Sequence, residues 1–549
     1  MQLVTRADMR TIEAAADAGG LPYADMMYLA GHSVAAAAEE LIDGAPAIVV
    51  VLIGPGSNGG DGLVASLALA DAGHIIRALV WQRDPADGLL AEAAANGAIE
   101  IVGADAPEAM ETLAGWLAEA DLVVDALLGT GGDRAISGDL ADILDTVADA
   151  VDGEPDGPAV LAVDLPSGLD ADTGALDPHT VPADVTVTFG FPKVGQFTWP
   201  GADAVGELQI DPIGISPELG RLAASGLAVA TEEEMADLLP LVQPDAHKGS
   251  RGRVLVLAGS PGLVGAAALC AEAAYRSGCG LVTVALAERL QAAVTSWVPE
   301  CTFYNLPDLY QLPADHPDVA AAADGLLAVA ALSDAVVLGP GLSLGTGVAA
   351  LLSRLLSRWA ELPNDPGPPP LLLDADALNL MAQDPILAAA LPPGAVLTPH
   401  PGEMARLTGL SVEAVQAARA AEALTLAERH QAVVVLKGAL TVTATPDGRA
   451  TINPSVEPAL ATAGTGDVLA GVMGGLLAQG LSSEEAATLA VWLHGRAGEL
   501  AAEDLGPRSV MARDVLDALP EAFQELEQGN MGLDEMLQED DEGDEGPWG

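Results

Sequence analysis

The chain has 549 residues and a net charge of −57, with 79 acidic against 22 basic side chains, a balance that excludes nucleic acid or an anionic membrane surface as partner. Hydrophobic residues make up 50% of it, which excludes disorder for most of the length. Single cores stop growing near about 250 to 300 residues, so at least two domains are expected.

The first segment, "MQLVTRADMRTIEAAADAGG", carries charges where a signal peptide needs an apolar stretch, and the longest uncharged run, 254–271, is broken by "GSPG". A cytoplasmic protein without a membrane span is expected. Its acidic, lysine-poor surface suits a salt-rich cytoplasm, where carboxylates stay hydrated and their repulsion is screened. Cys270, Cys279 and Cys301 show neither metal spacing nor a disulfide framework and read as small buried hydrophobes.

From residue 47 onward short apolar runs alternate with helical patterns: "AIVVVLIGPG", "HIIRALVW", "AIEIVG", "DLVVDALLGTG", "AVLAVDLPSG" and "DVTVTFGFPK". Val/Ile/Leu runs closed by glycine turns and followed by Ala-rich helices predict a doubly wound parallel sheet, a Rossmann-like α/β domain over residues 1–212. Residues 213–240 break the rhythm and read as a connector. A second α/β series, over 241–525, runs through "RGRVLVLAGSPG", "GLVTVAL", "DAVVLGPGL", "PPLLLDADAL", "AVLTPHPGE" and "AVVVLKGALTVTAT". "NDPGPPP" inside it reads as a stiff surface loop, and 526–549 as a solvated acidic tail.

Three strand ends of the first series present glycine beside an amide or carboxylate: "GPGSNGGDG", "DALLGTGG" and "VDLPSGLDADTG". Loops at the carboxyl ends of parallel strands converge on one crevice. Neither a dinucleotide fingerprint nor a P-loop fits the first of them. Asn58, Asp125 and Ser167 offer only hard oxygen ligands, which suit a hard cation. Asp61 has the position of a helix cap, whereas Asp164, just before "LPSG", is placed for acid/base work on a ligand.

In the second series, "ALATAGTGDVLAGVMGG" sets two freely twisting residues, Gly464 and Gly466, before an apolar helix. The amides of Gly464, Thr465 and Gly466 suit an anion at a helix start, and Asp467 suits a base that takes a proton from the hydroxyl receiving a phosphoryl group. Asp467 also has a bland reading as a cap. Lysine occurs at three positions only, Lys193, Lys248 and Lys437, each in a glycine-flanked turn beside an apolar strand. Where lysine is so avoided, a survivor points to phosphate or substrate contact.

Taken in order, "GPGSNGGDG", "DALLGTG", "VDLPSGLDADTG" and "TFGFPKVGQ" resemble the epimerase domain of the bifunctional NAD(P)H-hydrate repair enzymes, over most of 1–212. The resemblance implies K⁺ held by Asn58, Asp125 and Ser167. It implies hydrate contacts from Ser57, Asn58, Gly59, Gly60 and Asp61, and from Gly129, Thr130, Gly131, Gly132, Asp133, Arg134 and Ala135, with Asp164 acting at the epimerised carbon. Where the family often has two asparagines this chain has Ser57 and Asn58, and Ser57 still offers an oxygen.

"AGTGD" resembles the ribokinase-like superfamily. Together with "HKGSRGRVLVLAGSPGLVGAA", "VVLGPGL", "LLLDADALN", "LTPHPGEMARL" and "LKGALTV" it resembles the ADP-dependent NAD(P)H-hydrate dehydratases. By that resemblance Ala266, Gly341, His400 and Asp467 contact the hydrate, Lys437, Gly438, Ala439, Leu440, Thr441 and Gly466 hold the nucleotide, and Mg²⁺ accompanies ADP. Asp374 and Asn379 are candidate metal or phosphate contacts, with a strand-end cap the favoured reading of Asp374. His400 reads almost equally as a satisfied buried histidine. The expected partners are the hydrates of NADH and NADPH and ADP, with self-association into a homo-oligomer. A small-molecule kinase of hydroxymethylpyrimidine or sugar type fused to a binding domain is the alternative, and a non-catalytic scaffold the third reading.

Overall fold

The computed structural model of the chain describes residues 1–132, 135–152, 157–362 and 367–542. It divides into two compact units, Met1–Leu227 and Ala228–Gly549.

The N-terminal unit is built on seven parallel strands: β1 Ile48–Ile53, β2 Ile75–Val80, β3 Ile99–Gly103, β4 Leu122–Ala126, β5 Ala159–Val163, β6 Val185–Phe189 and β7 Glu207–Asp211. Their order is β3-β2-β1-β4-β5-β6-β7. Alternation along β1 explains the two covered faces. Val49, Val51 and Ile53 pack in one core with Leu63 and Leu69 of the Ser57–Ala72 helix. Val50 and Leu52 pack in the other with Leu113 and Trp116 of the Ala109–Leu117 helix and with Ile143 and Val147. The order reverses between β1 and β4, so a crevice opens there at the carboxyl ends of the strands.

The second sheet has ten strands in the order β11-β10-β9-β12-β13-β14-β15-β16-β17-β8. They are β8 Leu227–Val229, β9 Arg253–Leu257, β10 Leu281–Ala287, β11 Thr302–Leu306, β12 Ala335–Leu338, β13 Leu371–Leu373, β14 Val396–Leu397, β15 Val433–Leu436, β16 Val442–Ala444 and β17 Ala450–Ile452. β9 to β15 pair in parallel, and β15, β16 and β17 form an antiparallel meander. Order reverses again between β9 and β12, and the ends of β12 to β15 deliver Gly341, Asp374, His400 and Lys437 to one edge.

Three expectations change. The predicted connector is folded: Ile213 and Ile215 are buried in the first core, and Met235 of the Glu232–Asp237 helix is buried in the second, because the segment's apolar residues need cover. The helix beginning at Ala512 runs to Glu542 instead of giving way to a tail at 526, and it packs through Leu516, Leu519 and Leu526. Residues 543–549, like 364–366 of the Pro-rich loop, lie outside the described residues. Finally, "AGTGD", which in sequence reads as closing a strand as "LTPHPGE" and "VLKGA" do, does not close one. β17 ends at Ile452, prolines 454 and 458 keep the next stretch out of the sheet, and a 3₁₀ turn at Pro458–Leu460 leads into the Thr465–Ala478 helix.

Cys270, Cys279 and Cys301 are free and buried, and burial pushes the Cys279 and Cys301 thiols up to about 12. No helix among the described residues is long and apolar enough to cross a membrane.

Candidate active sites

At the β1/β4 crevice, a cavity of about 420 Å³ collects the predicted Ser57, Asn58, Asp61, Gly129, Thr130, Gly131, Gly132 and Asp164, and adds Glu13 and Lys193. The helix starts at Ser57 with Gly56 as N-cap, so "SNGGD" forms its first turn instead of a loop, and Asp61 is buried beyond the capping position. Gly59 and Gly60 lie behind this wall: a Cβ on Gly59 would meet the Gly54 carbonyl at 2.1 Å, and one on Gly60 the Met27 sulfur at 2.6 Å. Ala135 lines an adjoining cavity of about 250 Å³ rather than this one. Asp133 and Arg134 lie outside the described residues.

Asp164 stands at the tip of β5 with φ +66°, and Leu165 N–H bonds back to the Val163 carbonyl at 2.8 Å. A non-glycine residue with that φ in so tight a turn is strained, and such strain gathers at functional sites. The carboxylate is held from below. Lys193 Nζ donates to Asp164 Oδ1, and also to Thr188 Oγ1 at 2.8 Å and the Phe189 carbonyl at 3.1 Å; Thr188 Oγ1 donates to Asp164 Oδ1 at 3.0 Å. The ammonium's three protons are thereby committed, so Lys193 positions Asp164 and has none left for a ligand. Gln196 Nε2 completes the clamp by donating to the Asp164 carbonyl at 2.8 Å. Nearby, burial foremost, and then the charges of Asp164 and Glu13, push the Asp61 carboxyl well above its usual range and favour its protonated form.

Asp125 and Ser167 sit deeper. Ser167 donates to Asp125 through its hydroxyl at 2.7 Å and its N–H at 2.8 Å, and Leu127 N–H adds a third bond at 3.1 Å. Even so, burial raises the Asp125 pKa, and no basic group of the described residues stands among the main influences on it. Asn58 Nδ2 is buried without a hydrogen-bond partner among the described residues. A Cβ on Gly129 would come within 2.9 Å of Asn58 Oδ1 and 3.4 Å of Asp164 Oδ2, so this loop must be glycine to lie over both. One uncompensated carboxylate among neutral oxygens fits a monovalent hard cation. No cluster of three His, Cys, Asp or Glu fit for a metal occurs among the described residues.

In the C-terminal unit Lys437 Nζ donates to Asp374 Oδ1 at 2.8 Å, and Thr398 Oγ1 to the same oxygen at 2.7 Å. Asp374, itself buried, is therefore half of an ion pair with the half-buried Lys437, which corrects its reading as a cap. Although burial opposes it, the charges of Asp374 and Glu403 hold the Lys437 pKa above its usual value. Asn379 accepts instead from Arg406 at 3.0 Å. A Cβ on Gly466 would stand 3.3 Å from Lys437 Nζ, which places the glycine turn against the pair. Burial, and then the charge of Asp374, raise the Asp467 carboxyl to about 7. Of the three predicted amides, that of Thr465 is already bonded to the Thr462 carbonyl at 3.4 Å and its hydroxyl is turned inward to Leu460 and Thr462. Gly464, φ +98°, caps the helix.

Gly341, φ +60°, lies against Ala266, where a Cβ on the glycine would be 3.0 Å from that of the alanine. His400 caps the Pro401–Thr408 helix, accepts from Gly402 N–H at 3.0 Å through Nδ1 and is half exposed, so it is not the satisfied buried histidine. Burial, then the charge of Lys437, lowers its pKa. After Lys437 the chain turns through Gly438 at φ +138° and Leu440 at φ +53°, with Thr441 Oγ1 donating to the Gly438 carbonyl at 2.8 Å. Gly438 and Ala439 are exposed, while the Leu440 side chain is buried.

Three supports escaped sequence reading. His494 is fully buried with a pKa lowered to about 4, chiefly by burial, so the neutral ring donates through Nε2 to the Thr465 carbonyl at 2.9 Å and steadies the glycine turn. Arg419 Nη2 donates to the Leu436 and Lys437 carbonyls at 2.9 and 3.3 Å. Glu403, raised to about 7 mainly by burial, lies beside Lys437. No motif marks His494 or Arg419, and Glu403, although it lies within "LTPHPGEMARL", takes its place beside Lys437 from long-range packing.

A doubly wound unit with a strained aspartate at a strand tip, joined to a ribokinase-like unit with a half-buried aspartate at a helix start, defines a two-domain α/β enzyme. Residues 23–195 match the family described as YjeF-related protein N-terminus, and residues 254–521 match NAD(P)H-hydrate dehydratase. A bifunctional NAD(P)H-hydrate repair enzyme of Thermofilum pendens is 39% identical over 93% of this chain and 94% of its own length, and that of Escherichia coli 33% identical over 92% and 90%. Among solved structures, the ADP/ATP-dependent NAD(P)H-hydrate dehydratase of Bacillus subtilis, co-crystallised with ATP and Mg²⁺, is 30% identical and aligns with 55% of this chain and 98% of its own at a TM-score of 0.44. The chain belongs to the bifunctional NAD(P)H-hydrate repair enzymes.

Proposed function

We propose that the N-terminal site interconverts the R and S hydrates of NADH and NADPH, and that the C-terminal site dehydrates the S form at the expense of ADP, giving AMP and phosphate. In the hydrate the hydroxyl stands on the ring carbon bonded to the ring nitrogen. Asp164 takes the hydroxyl proton, the carbon–oxygen double bond forms as the carbon–nitrogen bond breaks, and the electron pair goes to the nitrogen, which takes a proton from Asp61. Rotation of the freed aldehyde and reclosure, with both protons returned, inverts the centre. One carboxyl bound by its lysine and one favoured in its protonated form divide base and acid between them. Asn58, Asp125 and Ser167 would hold K⁺, which would supply fixed positive charge beside the reacting oxygen.

In the second site Asp467 takes the proton of the S-hydrate hydroxyl as that oxygen attacks the β-phosphoryl group of ADP. The ring nitrogen then expels phosphate, and loss of a proton from the adjacent carbon restores the dihydronicotinamide. The Gly464–Gly466 turn and the Lys437–Thr441 segment would hold the nucleotide phosphates. Mg²⁺ would offset their charge during transfer. Ala266, Gly341 and His400 would flank the hydrate.

The observation that carries this reading is Asp467, half-buried with a pKa of about 7 beside the Lys437–Asp374 pair, in one chain with the strained Asp164–Lys193 clamp. The test follows recovery of reduced-nicotinamide absorbance from mixed hydrates with ADP, Mg²⁺ and KCl. The wild type should recover all of it. Asp467→Asn should lose recovery by about a hundredfold or more in rate, and Asp164→Asn or Asp61→Asn should slow only the R fraction. Transfer of phosphate to an added alcohol, with no recovery, would establish the kinase alternative instead.

A further inference from the structure

A second cavity, of about 550 Å³, lies at the carboxyl ends of β2 and β3, walled by Trp81, Arg83 and Ile101 and by Ala91 and Ala94 of the Gly88–Ala95 helix. The chemistry above does not use it. Mostly apolar walls of that volume suit a planar heterocycle. Two donors beside it are left unsatisfied: Trp81 Nε1 and Arg83 Nε are buried with no hydrogen-bond partner among the described residues. The Arg83 side chain is only 6% exposed. Its other nitrogens are committed, Nη1 to the Gly54 and Gly56 carbonyls at 3.0 and 2.9 Å and Nη2 to Asp87 at 2.8 Å. Buried donors without acceptors are rare unless something else supplies them.

Arg83 also ties this cavity to the Asp164 site, because the Gly54–Gly56 turn it braces includes Pro55 and Gly56, which line the first cavity. A dinucleotide hydrate that sets its hydrated ring beside Asp164 must seat its other heterocycle elsewhere on this edge of the sheet. Asp105 and Asp139, also on the wall, offer acceptors for sugar hydroxyls.

We propose that this cavity is the adenosine subsite of the epimerase, an inference that rests on the epimerase reading above. The adenine lies against Trp81, and its ring nitrogens and the sugar oxygens accept from the two orphaned donors.

Two measurements on the full chain test it. Titration with AMP should change tryptophan emission in the wild type, and the Trp81→Phe variant should lose that component, whereas any signal from nucleotide bound in the C-terminal unit persists in both. In epimerisation assays the wild type should prefer the hydrate of NADH to the hydrate of reduced nicotinamide mononucleotide, which lacks the adenylate. Ala91→Phe, which fills the cavity from an exposed helix position, should raise KM for the dinucleotide with kcat retained and shrink that preference in kcat/KM about tenfold. An unchanged preference in Ala91→Phe overturns the proposal, even where AMP reports on Trp81, since the cavity would then be a separate nucleotide site. Absence of a Trp81-dependent AMP signal overturns it whether or not either hydrate is turned over, while a wild type that binds AMP there and epimerises nothing refutes the epimerase reading instead.

Discussion

Asp467 carries opposite demands from chemistry and folding. Its carboxyl, usually near 3.8, stands at about 7 in the folded protein, so between those values the native state holds a proton that the unfolded chain has released. Stability therefore falls as pH rises through that window, and above it the partly desolvated charge remains a standing cost. Asp467→Asn should remove the cost: the variant is expected to melt a few degrees above wild type at pH 8, by about 1–2 kcal/mol, with the gain vanishing below 3.8, where the carboxyl is protonated in both states. Thermal melts across pH check it, and a variant less stable than wild type at pH 8 would show that Asp467 is not held against its charge. The same titration predicts that dehydration slows as pH drops below about 7, because a protonated Asp467 cannot take the substrate's proton.

At the scale of elements, the Thr465–Ala478 helix is set by close approach rather than by helix propensity. A Cβ on Gly471 would lie 2.2 Å from the Cys270 carbonyl of the Val264–Arg276 helix, and one on Gly475 1.9 Å from Ser277 Oγ. Gly471→Ala must push the two helices apart and should cost about 2–3 kcal/mol in chemical denaturation. Gly265→Ala, in the partner helix with nothing within 4 Å of the new methyl, should be neutral or stabilising by about 0.5–1 kcal/mol. Equal effects of the two would sink this account of the glycines. These positions also show what the amino-acid order conveys. The apolar runs of β1, β4 and β9 and the Asp467 turn were legible because strand periodicity and turn chemistry are local. The Lys193–Asp164 and Lys437–Asp374 pairs, 29 and 63 residues apart in sequence, were not, since only the fold brings their partners together. Gly471 and Gly475 look like helix-weakening residues in sequence, and only the neighbouring helix gives the reason for them.

Over the whole molecule, a charge of −57 in 549 residues must repel itself, and more strongly in the compact state than in the expanded chain. Only 22 basic residues are available to offset it, and several are spent locally: Arg83 and Arg419 on backbone carbonyls, Lys193 and Lys437 inside the two sites. Mobile counter-ions are then the main remaining compensation, and their reach shortens from about 10 Å at 0.1 M salt to about 3 Å at 1 M. The melting temperature should therefore climb between dilute buffer and molar salt, where an ordinary balanced surface would change little. Screening does not distinguish K⁺ from Na⁺, so the climb should be nearly equal in KCl and NaCl. Occupation of the cation site proposed at Asn58, Asp125 and Ser167 should differ between the two ions and appear separately, as an ion-selective effect on epimerisation that Ser167→Ala abolishes. A flat melting temperature from dilute buffer to molar KCl would mean that the surface charge is already compensated within the fold. A climb confined to KCl would instead assign the stabilisation to a bound ion rather than to the charged surface as a whole.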